Sequence, residues 1–388
     1  MNSPEQTHFP YKLLSKRSSL FKGVYVLGWA LFIFYTGITK PYYYFDVIGY
    51  VASAYELSGL SGEALRDSTY EDVRSAVPHP AYFLALTNEN LVYQSTVYED
   101  ASALQQQIPF YRIRYVYVWM TYALGQLIES FSQATVLISA ASGFLIVLTS
   151  GILFWNAGSI IAFLFVPPAV FFAGAAKLSR LSTPDAITVL AAISLCALIL
   201  ARWHKMAVLL IALLPIFRTD YLIFALAASF ILFLRGSSKL AALSASFAFL
   251  TYFAVNYFAE NYGYAVIFNF TLIDRWNSPY PLSMPISDDV RDYVEAYIRG
   301  IRKLIGTPEI YLCPIITAAV IFLTSAQDRC QNRFFTIYFA CLFFATMHFL
   351  LFPAAFPRNY FILSWVSIMY LAEAFILYRH SVQKDSRQ

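Results

Sequence analysis

Hydrophobic residues in this chain fall into long runs rather than the alternating or striped patterns of a water-soluble fold. The first run covers 20–38, long enough to cross a bilayer. Others follow at 134–155, 159–176, 185–201, 206–217, 221–234, 240–258, 310–325, 334–352 and 360–378. Backbone in lipid must satisfy its hydrogen bonds within the segment, so each run predicts a helix. The pattern reads as an all-α polytopic membrane protein with about ten transmembrane helices. Two runs are short. At 1.5 Å per residue, 206–217 and 221–234 reach roughly 18 and 21 Å against a hydrocarbon core of about 30 Å. They either span with help from their flanks or form a re-entrant hairpin; the downstream parity is the same.

Two further stretches are amphipathic. Residues 112–128 are apolar enough to span, but counting them as a crossing would invert the charge pattern downstream, so they are expected flat at the interface or tucked among helices. In 288–305, Val290, Tyr293, Val294, Tyr297, Ile301, Leu304 and Ile305 recur at helical spacing with cations between them. That suits an in-plane interfacial helix, or one packed on a small core of its own loop.

Charge sets the expected topology. Lys12, Lys16, Arg17 and Lys22 precede or open the first run, and no small-residue cleavage site follows it, so an uncleaved anchor with a cytoplasmic N-terminus is expected. Cations recur in the connections at 202–205, 235–239 and 328–333 and in the tail with Arg379, Lys384 and Arg387. The reading is then a cytoplasmic segment 1–19, a first crossing 20–38 and an extracytoplasmic loop 40–133. Crossings two to seven occupy 134–258, a second extracytoplasmic loop 259–309, crossings eight to ten 310–378, and a cytoplasmic tail 379–388. The first loop is acidic, with Glu56, Glu63, Asp67, Glu71, Asp72, Glu89, Glu99 and Asp100 besides Asp46. Composition agrees with the class. Of 388 residues 59% are hydrophobic and only 13% charged, against about a quarter charged in soluble domains. Cys196, Cys313, Cys330 and Cys341 lack metal-type spacing and read as apolar fillers.

Against this background, a few polar residues stand out. Asp46 follows the first run inside an aromatic segment, where a carboxylate could meet both a lipid-borne and a water-borne substrate. Lys177, Arg180, Arg218 and Arg358 lie at the outer ends of helices, and Arg112 and Arg114 lie on the same side. A cation at membrane depth costs roughly 2.5–3.5 kcal/mol, and such residues usually face a cavity and a partner. Singly, each is explained by snorkelling or by pairing with Asp185, Asp220 or the acidic loop. Together, opposite an acid, they suggest an anionic ligand, and the arginine fork suits phosphate. His79 and His348 lack partners at ligand spacing, and Glu373 reaches the inner interface. No Gly-rich phosphate loop, nucleophile elbow or metal motif occurs. Asn269-Phe270-Thr271 is a glycosylation sequon.

The order of these features resembles the GT-C superfamily of membrane glycosyltransferases. The resemblance rests on Phe45-Asp46-Val47-Ile48-Gly49-Tyr50 after the anchor and Pro109-Phe110-Tyr111-Arg112-Ile113-Arg114 before an aromatic helix. It continues with Ser182-Thr183-Pro184-Asp185-Ala186, Phe217-Arg218-Thr219-Asp220-Tyr221, and Phe356-Pro357-Arg358-Asn359-Tyr360 opening the last run. It implies inverting transfer of a sugar from a polyprenyl-phosphate-linked donor to a glycan, lipid or protein acceptor, with no nucleic-acid partner. It also implies that Asp46 is the catalytic base and that Arg358 holds the donor phosphate. Arg218, Lys177, Arg180, Arg112 and Arg114 follow as further phosphate candidates, and Tyr44, Tyr50, His79 and Tyr360 as substrate-binding ones. One departure leaves the particular family open: Asp46 is followed by Val47, where several such families pair two acids. No cofactor is expected, with a divalent metal as the open alternative. The expected location is a bacterial inner membrane rather than a eukaryotic endoplasmic reticulum. Two other readings stand beside this one: a polymerase or ligase of lipid-linked glycans, and a transporter or flippase of a lipid-linked anion. A transporter would be expected to show inverted repeats and broken helices at midplane.

Overall fold

The computed structural model describes residues 9–88, 91–156 and 158–385. Residues 1–8, Glu89 and Arg387, and the side chains of Lys12, Lys16, Arg17 and Lys384, on which part of the charge argument draws, lie outside the described residues. The described chain is helical; extended backbone pairs only at an isolated bridge between Tyr42 and Leu181.

Each apolar run is a helix: Phe9–Thr39, Phe131–Leu153, Ile160–Val170 continued by a wide turn to Leu178, Asp185–Leu200, His204–Phe217, Leu222–Leu234, Ser238–Phe258, Pro308–Leu323, Phe335–Leu351 and Pro357–Asp385. Five stretches are long and apolar enough to cross a membrane: Ser19–Thr39, Phe131–Leu153, Ile160–Leu178, Ser238–Phe258 and Pro357–Val382. Val290–Ile305 and Pro308–Leu323, bent by 70° at their junction, form a sixth candidate if counted as one span. The helices Asp185–Leu200, His204–Phe217, Thr219–Leu234 and Phe335–Leu351 fall short of that length. Two of them are cut off by charge: one begins at Asp185, and another ends where Arg218 leaves helical geometry with φ −157°.

Small residues set the closest helix approaches, as in membrane bundles generally. A Cβ on Gly37 would lie 2.7 Å from Ala140, one on Gly143 2.9 Å from Ile33, and one on Gly151 2.6 Å from Val26. The first helix is thereby seated along Phe131–Leu153.

The stretch between these two helices is not an irregular loop. It folds as Asp46–Leu57, Gly62–Ala76, Pro80–Leu86, Val92–Glu99, Ala101–Arg112 and Tyr115–Ile128, a cap with its own core around Val47, Val51, Leu65, Val73, Leu104 and Ile108. Asp72 of the cap accepts hydrogen bonds from Phe131 N at 2.7 Å and from Ser130 Oγ at 2.7 Å. It satisfies donors that every helix start leaves open, and so ties cap to bundle. Tyr115–Ile128 is tucked against Phe131–Leu153, and the chain reverses between them through Glu129 at φ 58°.

Val290–Ile305 meets the bundle through its small residues. A Cβ on Gly300 would sit 2.3 Å from the Pro353 carbonyl oxygen. Its opposite side exposes Val290, Val294, Ile298, Ile301 and Ile305 in one stripe at helical spacing.

Candidate functional site

The site lies where the cap meets the bundle, and each of its charged groups is set by an interruption in a helix. Asp46 is the first residue of Asp46–Leu57, where unsatisfied N–H groups and the helix dipole favour an anion. Pro184 precedes Asp185 at the start of Asp185–Leu200, and the Thr183 hydroxyl donates to Asp185 Oδ2 at 2.6 Å. Arg218 occupies the extended break between two apolar helices. Pro357 starts the last helix at a position proline favours, and Arg358 follows.

These residues form a chain of charge. Arg358 bridges Asp46 Oδ2 at 3.5 Å and Asp185 Oδ2 at 3.6 Å. Arg218 pairs with the other oxygen of Asp185 and with Asp220 at 2.9 Å, and His348 Nδ1 lies 3.4 Å from Asp220. The two arginines are not equivalent. Arg218 is closed off by two carboxylates. Arg358 is held by one long hydrogen bond to Asp46 and a longer contact to Asp185, more loosely than Arg218. Arg114 donates to the Phe110 carbonyl, and no ion pair reaches it among the described residues.

Two cavities adjoin here. One, of about 180 Å³, is lined by Asp46, Tyr50, Arg114, Asp185, Arg218 and Arg358 among others. The other, of about 500 Å³, is lined by Tyr44, Tyr93, Gln94, Lys177, Arg275 and Asn277. Asp46, Tyr111, Trp276, Phe356 and Arg358 are walls of both, so the Asp46–Arg358 pair stands at the junction. Asp46 keeps 35% of its side chain exposed, whereas Asp185 keeps 3%. Tyr111 donates to Asp46 Oδ1 at 3.5 Å. Burial, with the Asp46 charge adding to it, pushes the Tyr111 phenol well above its usual pKa, so it remains a donor.

The remaining candidates are spread more widely. Tyr44 and Lys177 line the larger cavity, and Lys177 also pairs with Glu309 at 3.7 Å. Arg180 lies over the Tyr42 ring at 3.8 Å and donates to the Lys40 carbonyl at 2.5 Å; it holds the bridge segment together. Arg112 sits among Glu56, Glu260 and the Ala259 carbonyl, apart from the cavities. Burial, with Glu260 adding to it and Arg112 opposing, raises the Glu56 pKa. His79 caps Pro80–Leu86 by accepting from Ala81 N at 3.1 Å. Tyr360 is buried against His348 below the site. Among the described residues no group of three or more His, Cys, Asp or Glu side chains could hold a metal ion.

Sequence reasoning missed Tyr111, Gln94, Arg275 and Trp276 as site residues, and Asp185 as the link between the two arginines. Arg275 and Trp276 have φ of 59° and 61°, a conformation rare for side chains other than glycine, asparagine and aspartate. Nothing in their identity signals it. Gln94 Oε1 is buried without a hydrogen-bond partner, and only the assembled cavity reveals it. No family model matches the chain, nor does any curated protein or solved structure.

Proposed function

We propose that this protein is a GT-C-like membrane glycosyltransferase moving a sugar from a polyprenyl-phosphate donor to a hydroxyl acceptor. The observation that carries the reading is the meeting of Asp46 and Arg358, 312 positions apart, at the shared wall of two cavities. A part-exposed carboxylate beside a loosely held guanidinium is the inventory that glycosyl transfer from a phosphate requires.

Asp46 takes the proton of the acceptor hydroxyl as its oxygen attacks the anomeric carbon. The new C–O bond forms as the bond from that carbon to the phosphate oxygen breaks, and the electron pair leaves with the lipid phosphate. Direct displacement inverts the anomeric centre. Arg358 and Arg114 stabilise the growing phosphate charge, while Asp185 and Arg218 hold Arg358 in place. No second acid is needed, because phosphate departs unprotonated. Lys177 and Arg275 extend positive charge into the larger cavity, whose aromatic walls suit a sugar or the start of a prenyl chain.

The topology belongs to the same proposal: about ten crossings, counting the short helices, with cap and site on the extracytoplasmic side. The exposed apolar stripe of Val290–Ile305 supports an in-plane position at that surface.

The test is incubation of purified protein with labelled polyprenyl-phospho-sugars and a panel of glycan, lipid and protein acceptors. Asp46→Asn keeps size and hydrogen bonding but removes the base. Turnover is expected to fall by about two to four orders of magnitude with donor binding retained. Turnover near that of the unaltered protein would refute the assignment.

A further inference from the structure

A cavity of about 940 Å³ lies at the other end of the bundle, and it has no part in the chemistry above. Three helices run from the site to it. Asp185–Leu200 and Pro357–Asp385 begin at the site with Asp185 and Arg358, His204–Phe217 ends beside it at Arg218, and each also lines the cavity, through Leu200, Ile376 and His204.

The cavity wall has two kinds of surface. One is apolar, from Ile152, Leu153, Leu200 and Ile376. The other carries Arg202, Arg235, Arg333 and His204, with Glu373 as the acid among the lining residues. Glu373 is taken by Arg333 at 3.1 Å. Among the described residues no ion pair reaches Arg202 or Arg235, and both are exposed. Partial burial lowers the Arg235 pKa and the neighbouring Arg202 charge lowers it further; the two cations crowd each other. His204 Nε2 is buried with no hydrogen-bond partner, while its Nδ1 faces Ser237 Oγ at 3.5 Å.

Helix-end capping explains part of this. Arg333 donates to the Leu153 carbonyl at 2.9 Å and Arg235 to the Ile199 carbonyl at 2.5 Å, as cations at helix C-termini do. Capping does not explain Arg202, whose side chain makes no such bond. Nor does it explain a large cavity between the helix ends with an orphaned imidazole nitrogen in it.

We propose that this cavity binds a phosphate-bearing anion, presented as the headgroup of an acidic membrane lipid. Guanidinium forks match phosphate oxygens in pairs, and His204 supplies a further donor in the appropriate tautomer. Basic pockets between helices at a membrane face are the usual seat of such headgroups. The apolar wall argues for a lipid over free phosphate. It lies at the ends of two helices long enough to span, Phe131–Leu153 and Pro357–Val382, so acyl chains can follow them while the phosphate meets the arginines. The proposal is independent of the glycosyl-transfer reading.

The experiment places the whole chain in nanodiscs of phosphatidylcholine alone or doped with phosphatidylglycerol. It measures retained lipid by native mass spectrometry and thermal stability in parallel. A third arm adds inorganic phosphate to protein in neutral detergent. Arg202→Gln with Arg235→Gln is compared with Arg202→Gln alone, which breaks no described side-chain bond, and with Arg302→Gln, an exposed cation elsewhere. Phosphatidylglycerol is expected to be retained in preference to phosphatidylcholine. Its affinity should fall about tenfold or more in the double variant, the scale of a lost charge-assisted bond, fall less in Arg202→Gln, and not change in Arg302→Gln. Equal retention of the two lipids, or undiminished phosphatidylglycerol retention in the double variant, would overturn the site. Arginine-dependent binding of inorganic phosphate as tight as that of the lipid would overturn the lipid assignment.

Discussion

At the scale of single residues, the site depends on three kinds of neighbour. Gly49 lies one turn after Asp46, and a Cβ there would fall 2.1 Å from the Tyr111 ring. Tyr111 cannot yield easily, because the Tyr50 ring packs edge-on against it at 5.0 Å. Gly49→Ala should therefore cost about 1–3 kcal/mol as an overpacked contact and drive the phenol off Asp46. A melting temperature equal to that of the unaltered protein would show that the ring moves freely. Tyr111→Phe separates packing from chemistry: it keeps the ring, costs about 1 kcal/mol at most, and should lower turnover less than Asp46→Asn does. Because Tyr111 does not titrate in the working range, its loss should leave the pH–rate profile unshifted. Arg218 has a different role. It neutralises Asp185 and Asp220, so Arg218→Gln leaves Asp185 only the longer contact to Arg358 and Asp220 only His348. Breaking such a pair costs about 3–5 kcal/mol, and a low yield of folded protein is expected. Arg114→Gln, with no ion pair to break, should fold normally and lose donor affinity.

At the scale of elements, the helices of the bundle were legible in the sequence because lipid imposes a single rule on backbone hydrogen bonds. Runs such as 134–155 and 240–258 became helices within a few residues of their expected limits. The bend in Ile160–Leu178 was not read, although Gly174, at φ 131°, marks it. Of the cap, Tyr115–Ile128 was read as an amphipathic stretch; its other helices were hidden for another reason. Their apolar faces are covered by one another and by the bundle, not by lipid, so short amphipathic segments look like a polar loop. Which end-of-helix charges meet was hidden too. Asp46, Asp185, Arg218 and Arg358 were each conspicuous, but chain order does not say that Arg358 stands between the two acids. The segment carrying Arg275 and Trp276 is anchored to Ala101–Arg112 through the Tyr280 phenol, which donates to Asp100 at 2.5 Å, and through Gln107 on the Pro279 carbonyl at 2.8 Å. The Tyr280 bond, with the Ser102 amide, holds the Asp100 carboxyl below the usual range. A depressed carboxylate contributes stability above its unfolded pKa, about 4, and loses it as pH falls through the lower folded value. Tyr280→Phe should therefore melt below the unaltered protein at pH 6, and the gap should shrink in acid below about pH 4. A gap that is constant with pH would mean that the phenol acts by packing alone.

At the scale of the whole molecule, two chemically different ends are joined by the same three helices. One end holds Asp46 and Arg358 under the cap; the other holds Arg202, Arg235 and Arg333 around an open cavity. Cations concentrate on the cytoplasmic side of membrane proteins, and the proposed topology accordingly has the cavity inside and the cap outside. Three positions report on this directly. Ser75 is an exposed cap residue, Asp288 is exposed just before Val290–Ile305, and Cys330 is exposed in the connection before Arg333. In a background lacking the native cysteines, Ser75→Cys and Asp288→Cys should react with an impermeant thiol reagent on intact cells. A chain retaining only Cys330 should react after permeabilisation. The decisive comparison is Ser75 against Asp288. The stretch at 112–128 lies between them in the chain, and if it crossed the membrane the two would fall on opposite sides. Arg358 would then be separated from Asp46 by the bilayer, which is incompatible with their contact at 3.5 Å. Labelling of Asp288→Cys only after permeabilisation, with Ser75→Cys open throughout, would therefore count against the topology, the shared site and the glycosyl-transfer reading together.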